Sequence, residues 1–186
     1  MQQSSFNIQL SLFQKLKNFD FILLFCIMIL GVMSAFSMYS TDGGEILFHS
    51  KSHITKFLIF FPMMIVLSFL DIKFWHYFSY LFYIICLAFL IWASLYGIKA
   101  SGSQRWINLY IINLQPSELM KIAVIACLAK YYHRIGLDKV NTVLSLSIVL
   151  TILILPIMLV VNQPDLGTAI LIALSGLVVI WLAGLN

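Results

Sequence analysis

The sequence predicts an all-α polytopic membrane protein, and two properties of its composition lead to this fold class. Of its 186 residues, 62% are hydrophobic and only 10% are charged. Soluble domains are about 25% charged, because charged side chains keep their surfaces hydrated. The apolar residues also come in runs close to the roughly 20 residues that a helix needs to cross about 30 Å of hydrocarbon. These observations exclude a soluble single domain.

Apolar segments bounded by polar or turn-forming residues predict about six transmembrane helices. Their predicted bounds are 19–39, 54–70, 74–96, 116–132, 142–161 and 168–185. Residues 1–18 then form a cytoplasmic N-terminal segment, and residues 19–186 form one transmembrane domain. The helices leave outer loops at about 40–53, 97–115 and 162–167.

The positions of lysine and arginine predict the orientation, because basic residues in short loops are retained in the cytoplasm. The side of the N-terminus carries Lys15, Lys17, Lys73, Lys130, Arg134 and Lys139. The opposite loops carry Lys51, Lys56, Lys99 and Arg105. This bias predicts a cytoplasmic N-terminus. Because the basic residues are dispersed along the chain, nucleic acid is not an expected partner.

Two charged residues within the fourth segment are candidates for function, because charge inside a membrane segment is costly and usually functional. Glu118 and Lys121 follow Pro116, which suits the first turn of a helix. Their spacing of three residues puts both side chains on one helix face, where they can pair. The pair either lines a polar substrate cavity or anchors the helix at the interface.

The predicted outer loops hold the remaining candidates. Arg105 offers a guanidinium fork suited to phosphate, beside a flexible Gly102 and an interfacial Trp106. Asp165 precedes the sixth helix, where it either caps free amides or orients a sugar hydroxyl or a cation. His49 and His53 lack further ligands at a set spacing and are interpreted as solvated loop residues.

Three ordered motifs connect these candidates to a known family. They are Ser101–Ile107 (SGSQRWI), Gln115–Lys121 (QPSELMK) and Gln163–Ile170 (QPDLGTAI), and together they resemble the signatures of the SEDS family, which comprises RodA, FtsW and SpoVE. The similarity covers essentially the entire chain. The run Leu171–Leu177 and the turn at Asp71 look more like RodA, which acts in cell elongation, than FtsW, which acts in division.

The resemblance implies a ten-helix glycosyltransferase of the bacterial inner membrane. Such an enzyme polymerises lipid II, an undecaprenyl-diphosphate-linked disaccharide peptide, and works with a class B penicillin-binding protein. By position, the resemblance implies a substrate cavity formed by Arg105, Glu118, Lys121 and Asp165, supported by Trp106, Gln115, Ser117, Gln163 and Thr168. No cofactor is firmly implied, and a divalent cation is the one left open.

The catalytic aspartate of the family lies in a large outer loop after the seventh helix. The resemblance therefore places that residue beyond residue 186, and the chain is expected to correspond to an N-terminal part that does not polymerise lipid II alone. Two other functions stay open at this point. One is a flippase that moves lipid II through the same polar cavity, and the other is a non-catalytic scaffold of the elongation machinery.

Overall fold

Helices dominate the computed structural model, which describes residue 17 and residues 19–100, 103–109, 113–136 and 139–184. The long helices are α1 (Phe21–Thr41), α2 (Phe48–Ser68), α3 (Ile72–Tyr96), α4 (Pro116–Ile135), α5 (Val143–Asn162) and α6 (Leu166–Leu182). Between α3 and α4 lie the strands β1 (Ile98–Ala100), β2 (Ser103–Asn108) and β3 (Asn113–Leu114). The predicted cytoplasmic segment, except Lys17, lies outside the described residues, as does Gly102.

The predicted polytopic membrane fold is confirmed. In the described part of the chain, α1, α2, α3 and α5 are long and apolar enough to cross a membrane. Helix α6 is also apolar but has 17 residues, and α4 carries charged side chains in its first and last turns. Six crossings therefore stay a prediction.

The segment predicted as the outer loop 97–115 is not irregular throughout, which corrects the sequence-based description. Strands β1, β2 and β3 form an antiparallel sheet in that order, with Trp106 opposite Ile98 and Ile107 opposite Leu114. Strand pairing satisfies the backbone N–H and C=O groups of these strands within the protein. The hydropathy pattern detects membrane segments and carries no signal for such short strands.

Helix α2 begins at Phe48, whereas the hydropathy pattern predicted a start at residue 54. The prediction for His49 and His53 as loop residues was therefore wrong, because both lie in the first turns of α2. Polar residues can begin a helix when its free amides are capped, and hydropathy does not register this. Helix α4 likewise runs past the predicted end to Ile135 and stops at Gly136, whose φ of 73° favours glycine.

Two compact units divide the chain, the first extending to Asp71 and the second from Ile72 onward. In the first unit, α1 packs against α2 at Gly31, where an added Cβ would overlap the Phe57 ring. Asp42 follows α1 and accepts hydrogen bonds from the Ser50 amide at 2.7 Å and the Ser50 hydroxyl at 2.6 Å. His49 Nδ1 lies 2.9 Å from the other carboxylate oxygen. Asp42 therefore caps the first turn of α2, although it lies outside this helix in the sequence.

The second unit packs α3, α4, α5 and α6 around one apolar core. Its buried members recur at helical spacing and include Cys86, Leu90, Met120, Val124, Leu128, Val149, Leu153, Val160, Ala169 and Ile172. Gly176 of α6 gives Leu153 of α5 room, because an added Cβ would overlap its methyl group. Small residues at such contacts let helix backbones approach closely in lipid.

One hydrogen bond across the core compensates for a proline. Pro156 lies inside α5 and has no N–H, so the carbonyl of Ile152 loses its partner within the helix. The Tyr83 hydroxyl of α3 donates to that carbonyl at 2.9 Å. Since hydrocarbon offers no alternative partner, this contact ties α3 to α5 at the proline.

Replacing Tyr83 by phenylalanine is expected to lower the free energy of unfolding by about 1–3 kcal/mol, because the Ile152 carbonyl is then buried without a donor. In a Pro156→Ala background the restored backbone amide at this position can donate to that carbonyl, so the same change should cost much less. Thermal unfolding is followed by maleimide labelling of the buried Cys86 and Cys127 after Cys26→Ser removes the exposed thiol. An equal cost of Tyr83→Phe in both backgrounds would contradict this account.

The Asp42 cap is expected to depend on pH. Hydrogen bonds from the Ser50 hydroxyl and amide lower the pKa of Asp42 from 3.8 to about 2. A lowered folded-state pKa stabilises the fold above pH 3.8, and this contribution is lost as the pH falls toward 2. Hydrogen exchange of peptides covering the start of α2 should show protection falling across this window.

The Asp42→Asn variant should have weaker protection at neutral pH and no step between pH 4 and 2, since no carboxylate remains to titrate. Glu45→Gln serves as the matched control, because Glu45 is an exposed acid in the same connection. A step of equal size in Asp42→Asn, or its loss in Glu45→Gln, would assign the pH dependence to other groups.

Candidate functional site

Asp165 lies at the centre of a polar cluster in the second unit. It is the N-cap of α6, and its Oδ1 accepts from the Thr168 amide at 3.3 Å. Its Oδ2 accepts from the Thr168 hydroxyl at 2.9 Å and from Gln115 Nε2 at 2.8 Å. The predicted capping role is thus present, and the same carboxylate also reaches side chains outside α6.

Gln115 links the starts of two helices. It immediately precedes Pro116, the first residue of α4, and its amide donates both to Asp165 and to the Ser117 hydroxyl at 3.1 Å. Ser117 is buried, so this hydroxyl is satisfied within the protein. Sequence reasoning named Gln115 only as a supporting residue. Its place before a helix-starting proline was the one local signal available, and the link to Asp165 spans 50 positions.

Arg105 brings the sheet to this cluster. It stands on β2, and its Nη1 lies 3.5 Å from Asp165 Oδ2. The side chain is 26% exposed, whereas the Asp165 side chain is 11% exposed. Among the described residues, no hydrogen-bond partner is present for the buried Arg105 Nε. Because a guanidinium carries five N–H donors, Asp165 leaves most of this capacity unused.

Glu118 and Lys121 form the predicted ion pair on α4. Lys121 Nζ donates to both carboxylate oxygens, at 3.0 and 2.9 Å. Glu118 is 54% exposed and Lys121 is 25% exposed. Among the described residues, no hydrogen bond or ion pair joins this pair to Arg105 or Asp165. The four predicted cavity residues therefore form two pairs, Arg105 with Asp165 and Glu118 with Lys121. An exposed pair such as Glu118 and Lys121 adds little to stability.

Two supporting residues have mainly structural contacts. Gln163 is buried, and its side-chain amide donates to the Leu90 carbonyl of α3 at 3.0 Å. This bond attaches the turn before Asp165 to the helix that precedes the sheet. Trp106 is partly buried on β2 and lies opposite Ile98 of β1, and Arg105 is the extra residue of a β-bulge in this strand pair.

The remaining candidates from the sequence are the two histidines and a metal site. His49 is exposed and pairs with Asp42 in the first unit. In the described parts of the chain, no three His, Cys, Asp or Glu side chains converge closely enough to hold a metal ion. A divalent cation at Asp165 stays a prediction.

An apolar groove of about 560 Å³ lies between α3 and α5. It is lined by residues such as Leu87, Ile91, Ile154 and Met158, and none of the polar cluster contributes to it. The groove and the chemistry-bearing residues are therefore separate features of the second unit.

Comparisons with known proteins identify the family. A family model described as cell cycle protein, covering FtsW, RodA and SpoVE, matches residues 15–186. The chain is 34% identical over 164 residues to peptidoglycan glycosyltransferase MrdB of Escherichia coli K12, an alignment that covers 88% of this chain and 44% of that protein. It is 33% identical over 148 residues to a probable peptidoglycan glycosyltransferase FtsW of Buchnera aphidicola subsp. Schizaphis graminum, covering 77% of this chain and 42% of that protein. The chain thus spans less than half the length of these relatives.

Solved structures agree in fold. The rod shape determining protein RodA of Thermus thermophilus matches with a TM-score of 0.77 and 21% identity, over 90% of this chain and 55% of that chain. A chain from a peptidoglycan synthase complex matches with a TM-score of 0.76 and 22% identity, over 89% of this chain and 48% of that chain. At these identities the structures show a common fold alone. Together with the family match over residues 15–186, they establish that this chain belongs to the FtsW, RodA and SpoVE family and has a RodA-like fold.

Proposed function

We propose that this chain forms the lipid II-binding part of a RodA-type peptidoglycan glycosyltransferase that acts in cell elongation. The observation that carries the proposal is Arg105, whose guanidinium is partly exposed and held by Asp165 at 3.5 Å, with an Nε–H that has no partner among the described residues. Such a group fits a diphosphate, because an arginine fork binds phosphate oxygens through paired charge-assisted hydrogen bonds. The names of the relatives support this substrate class.

The cluster explains how Arg105 would be positioned. Asp165 offsets part of its charge, and Gln115 and Thr168 hold the Asp165 carboxylate from two helices. A guanidinium held in this way loses less side-chain entropy on binding than a freely rotating one. Arg105 then contacts the diphosphate, Asp165 orients Arg105 or a sugar hydroxyl, and Glu118 and Lys121 line the approach to the cluster.

The reaction needs a further group that we do not assign in this chain. In glycan polymerisation the acceptor hydroxyl attacks the anomeric carbon, the bond from that carbon to the diphosphate oxygen breaks, and the polyprenyl diphosphate leaves. A general base removes the proton of the attacking hydroxyl. We propose that this base lies outside these 186 residues, so that this chain binds lipid II without polymerising it. A class B penicillin-binding protein is the proposed partner of the whole enzyme.

Removing the guanidinium is expected to weaken lipid II binding. Arg105→Gln in the purified chain should lower the affinity for labelled lipid II roughly tenfold or more, since hydrogen bonds to charged groups contribute about 1.5–3 kcal/mol. Arg105→Lys keeps the charge without the fork and should bind with intermediate affinity. Lys56→Gln removes an equal charge from the exposed side of α2 and should bind normally. Equal losses in Arg105→Gln and Lys56→Gln would remove the support for a specific phosphate contact.

The chain alone is expected to yield no glycan polymer from lipid II, as judged by electrophoresis of the products, although it binds the substrate. Polymer formation that is lost on Glu118→Ala would overturn the proposal that the base lies elsewhere. Transfer of labelled lipid II across vesicles without polymer would instead favour a flippase. Copurification with a penicillin-binding protein, with neither activity nor lipid II binding, would favour a scaffold.

A further inference from the structure

A group of basic side chains gathers at the end of the second unit that lies farthest from Asp165. Helices α3 and α4 run antiparallel there, so the first turns of α3 meet the last turns of α4. The members are Lys73 and His76 from α3, and Lys130, His133 and Arg134 from α4. We call these five residues the basic end.

Direct contacts hold the basic end together across the two helices. Lys130 Nζ donates to the Tyr77 carbonyl at 2.7 Å and lies 4.5 Å from the centre of the Tyr80 ring. The His76 and His133 rings meet edge to face at 5.2 Å. Lys130, His133 and Arg134 all act electrostatically on His76. These cationic groups therefore share one small region, although their mutual repulsion opposes it.

The described acids of the second unit do not neutralise this region. Glu118 and Asp165 both lie at the opposite end, near the sheet. In the sequence, Asp71 precedes α3, and Asp138 and Lys139 follow α4. Together with Lys73, Lys130 and Arg134 they leave a formal net charge of +2, which is four basic residues against two acids. Basic residues often complement the negative end of a helix dipole, which amounts to about half a charge. Here the positive end of α3 meets the negative end of α4, so the two dipoles largely cancel.

We propose that the basic end binds the phosphate of an anionic phospholipid headgroup, such as that of phosphatidylglycerol. Basic pockets between membrane helices recognise such headgroups, and each lysine or arginine near the surface strengthens the attraction. A membrane lipid is favoured over a free phosphate because the same turns of α3 carry exposed apolar and aromatic side chains. Ile72 is 68% exposed, Phe74 44% and Tyr77 74%, which suits contact with the upper acyl chains.

Native mass spectrometry of the purified chain with equal amounts of phosphatidylglycerol and phosphatidylcholine of the same acyl chains tests the proposal. Phosphatidylglycerol should be retained preferentially. Arg134→Gln should reduce its retention about fivefold, the effect of one surface charge. Arg134 is exposed, so this change should leave helix packing intact, which circular dichroism verifies. Lys130→Gln should have a larger effect but also loosens the contact between α3 and α4.

The matched control is Lys56→Gln, which removes one exposed basic charge from α2 and should retain phosphatidylglycerol as the unmodified chain does. Equal retention of the two lipids by the unmodified chain would overturn the proposal. Equal losses in Arg134→Gln and Lys56→Gln would also overturn it, since the attraction would then be diffuse. Displacement of phosphatidylglycerol by millimolar inorganic phosphate would overturn the assignment of a lipid and would identify free phosphate as the ligand.

Discussion

The absence of water from the hydrocarbon core is the constraint on which the structure most depends. Every backbone N–H and C=O within that region needs a partner inside the protein. Most of these groups are paired by hydrogen bonds within their own helix. Where the helix cannot pair a group, another part of the chain supplies the partner. Tyr83 donates to the carbonyl that Pro156 leaves unpaired within α5. Between α3 and α4, where the chain is not helical, strand pairing satisfies backbone N–H and C=O groups.

The same constraint explains why the polar residues gather at helix ends. Asp165 caps the start of α6 by accepting a hydrogen bond from the Thr168 amide, a role that is independent of any substrate contact. Once it is held by Thr168 and Gln115, that carboxylate can anchor Arg105 from the sheet. A structural cap and a candidate substrate contact thus share one group. The Glu118–Lys121 pair, by contrast, is exposed and depends only on spacing within α4.

Membrane class, the helical segments and the main motifs could be read from the sequence because each depends on local composition. An apolar run shows a membrane helix, and Asp165 before Leu166 shows a cap. Helix starts were harder to predict from the sequence, as α2 shows. A polar first turn resembles a loop in the sequence unless the residue that caps it from a distance is known. The strands escaped detection for a related reason, since a three-residue strand such as β1 depends on its partner for stability.

Sequence alone determined that the chain is a multi-pass membrane protein of this family, that Asp165 precedes a helix and that Glu118 and Lys121 share a face. The first follows from apolar runs and short motifs that can each be recognised without knowing the fold, and the other two follow from residues within one helical turn of each other. Only the tertiary structure decided three hydrogen bonds. Gln115 donates to Asp165, Tyr83 donates to the Ile152 carbonyl, and Lys130 donates to the Tyr77 carbonyl. Those pairs are 50, 69 and 53 positions apart. They depend on which apolar faces pack together, and lipid-facing and helix-facing leucines and isoleucines look alike in a sequence because lipid tails are as apolar as the protein core.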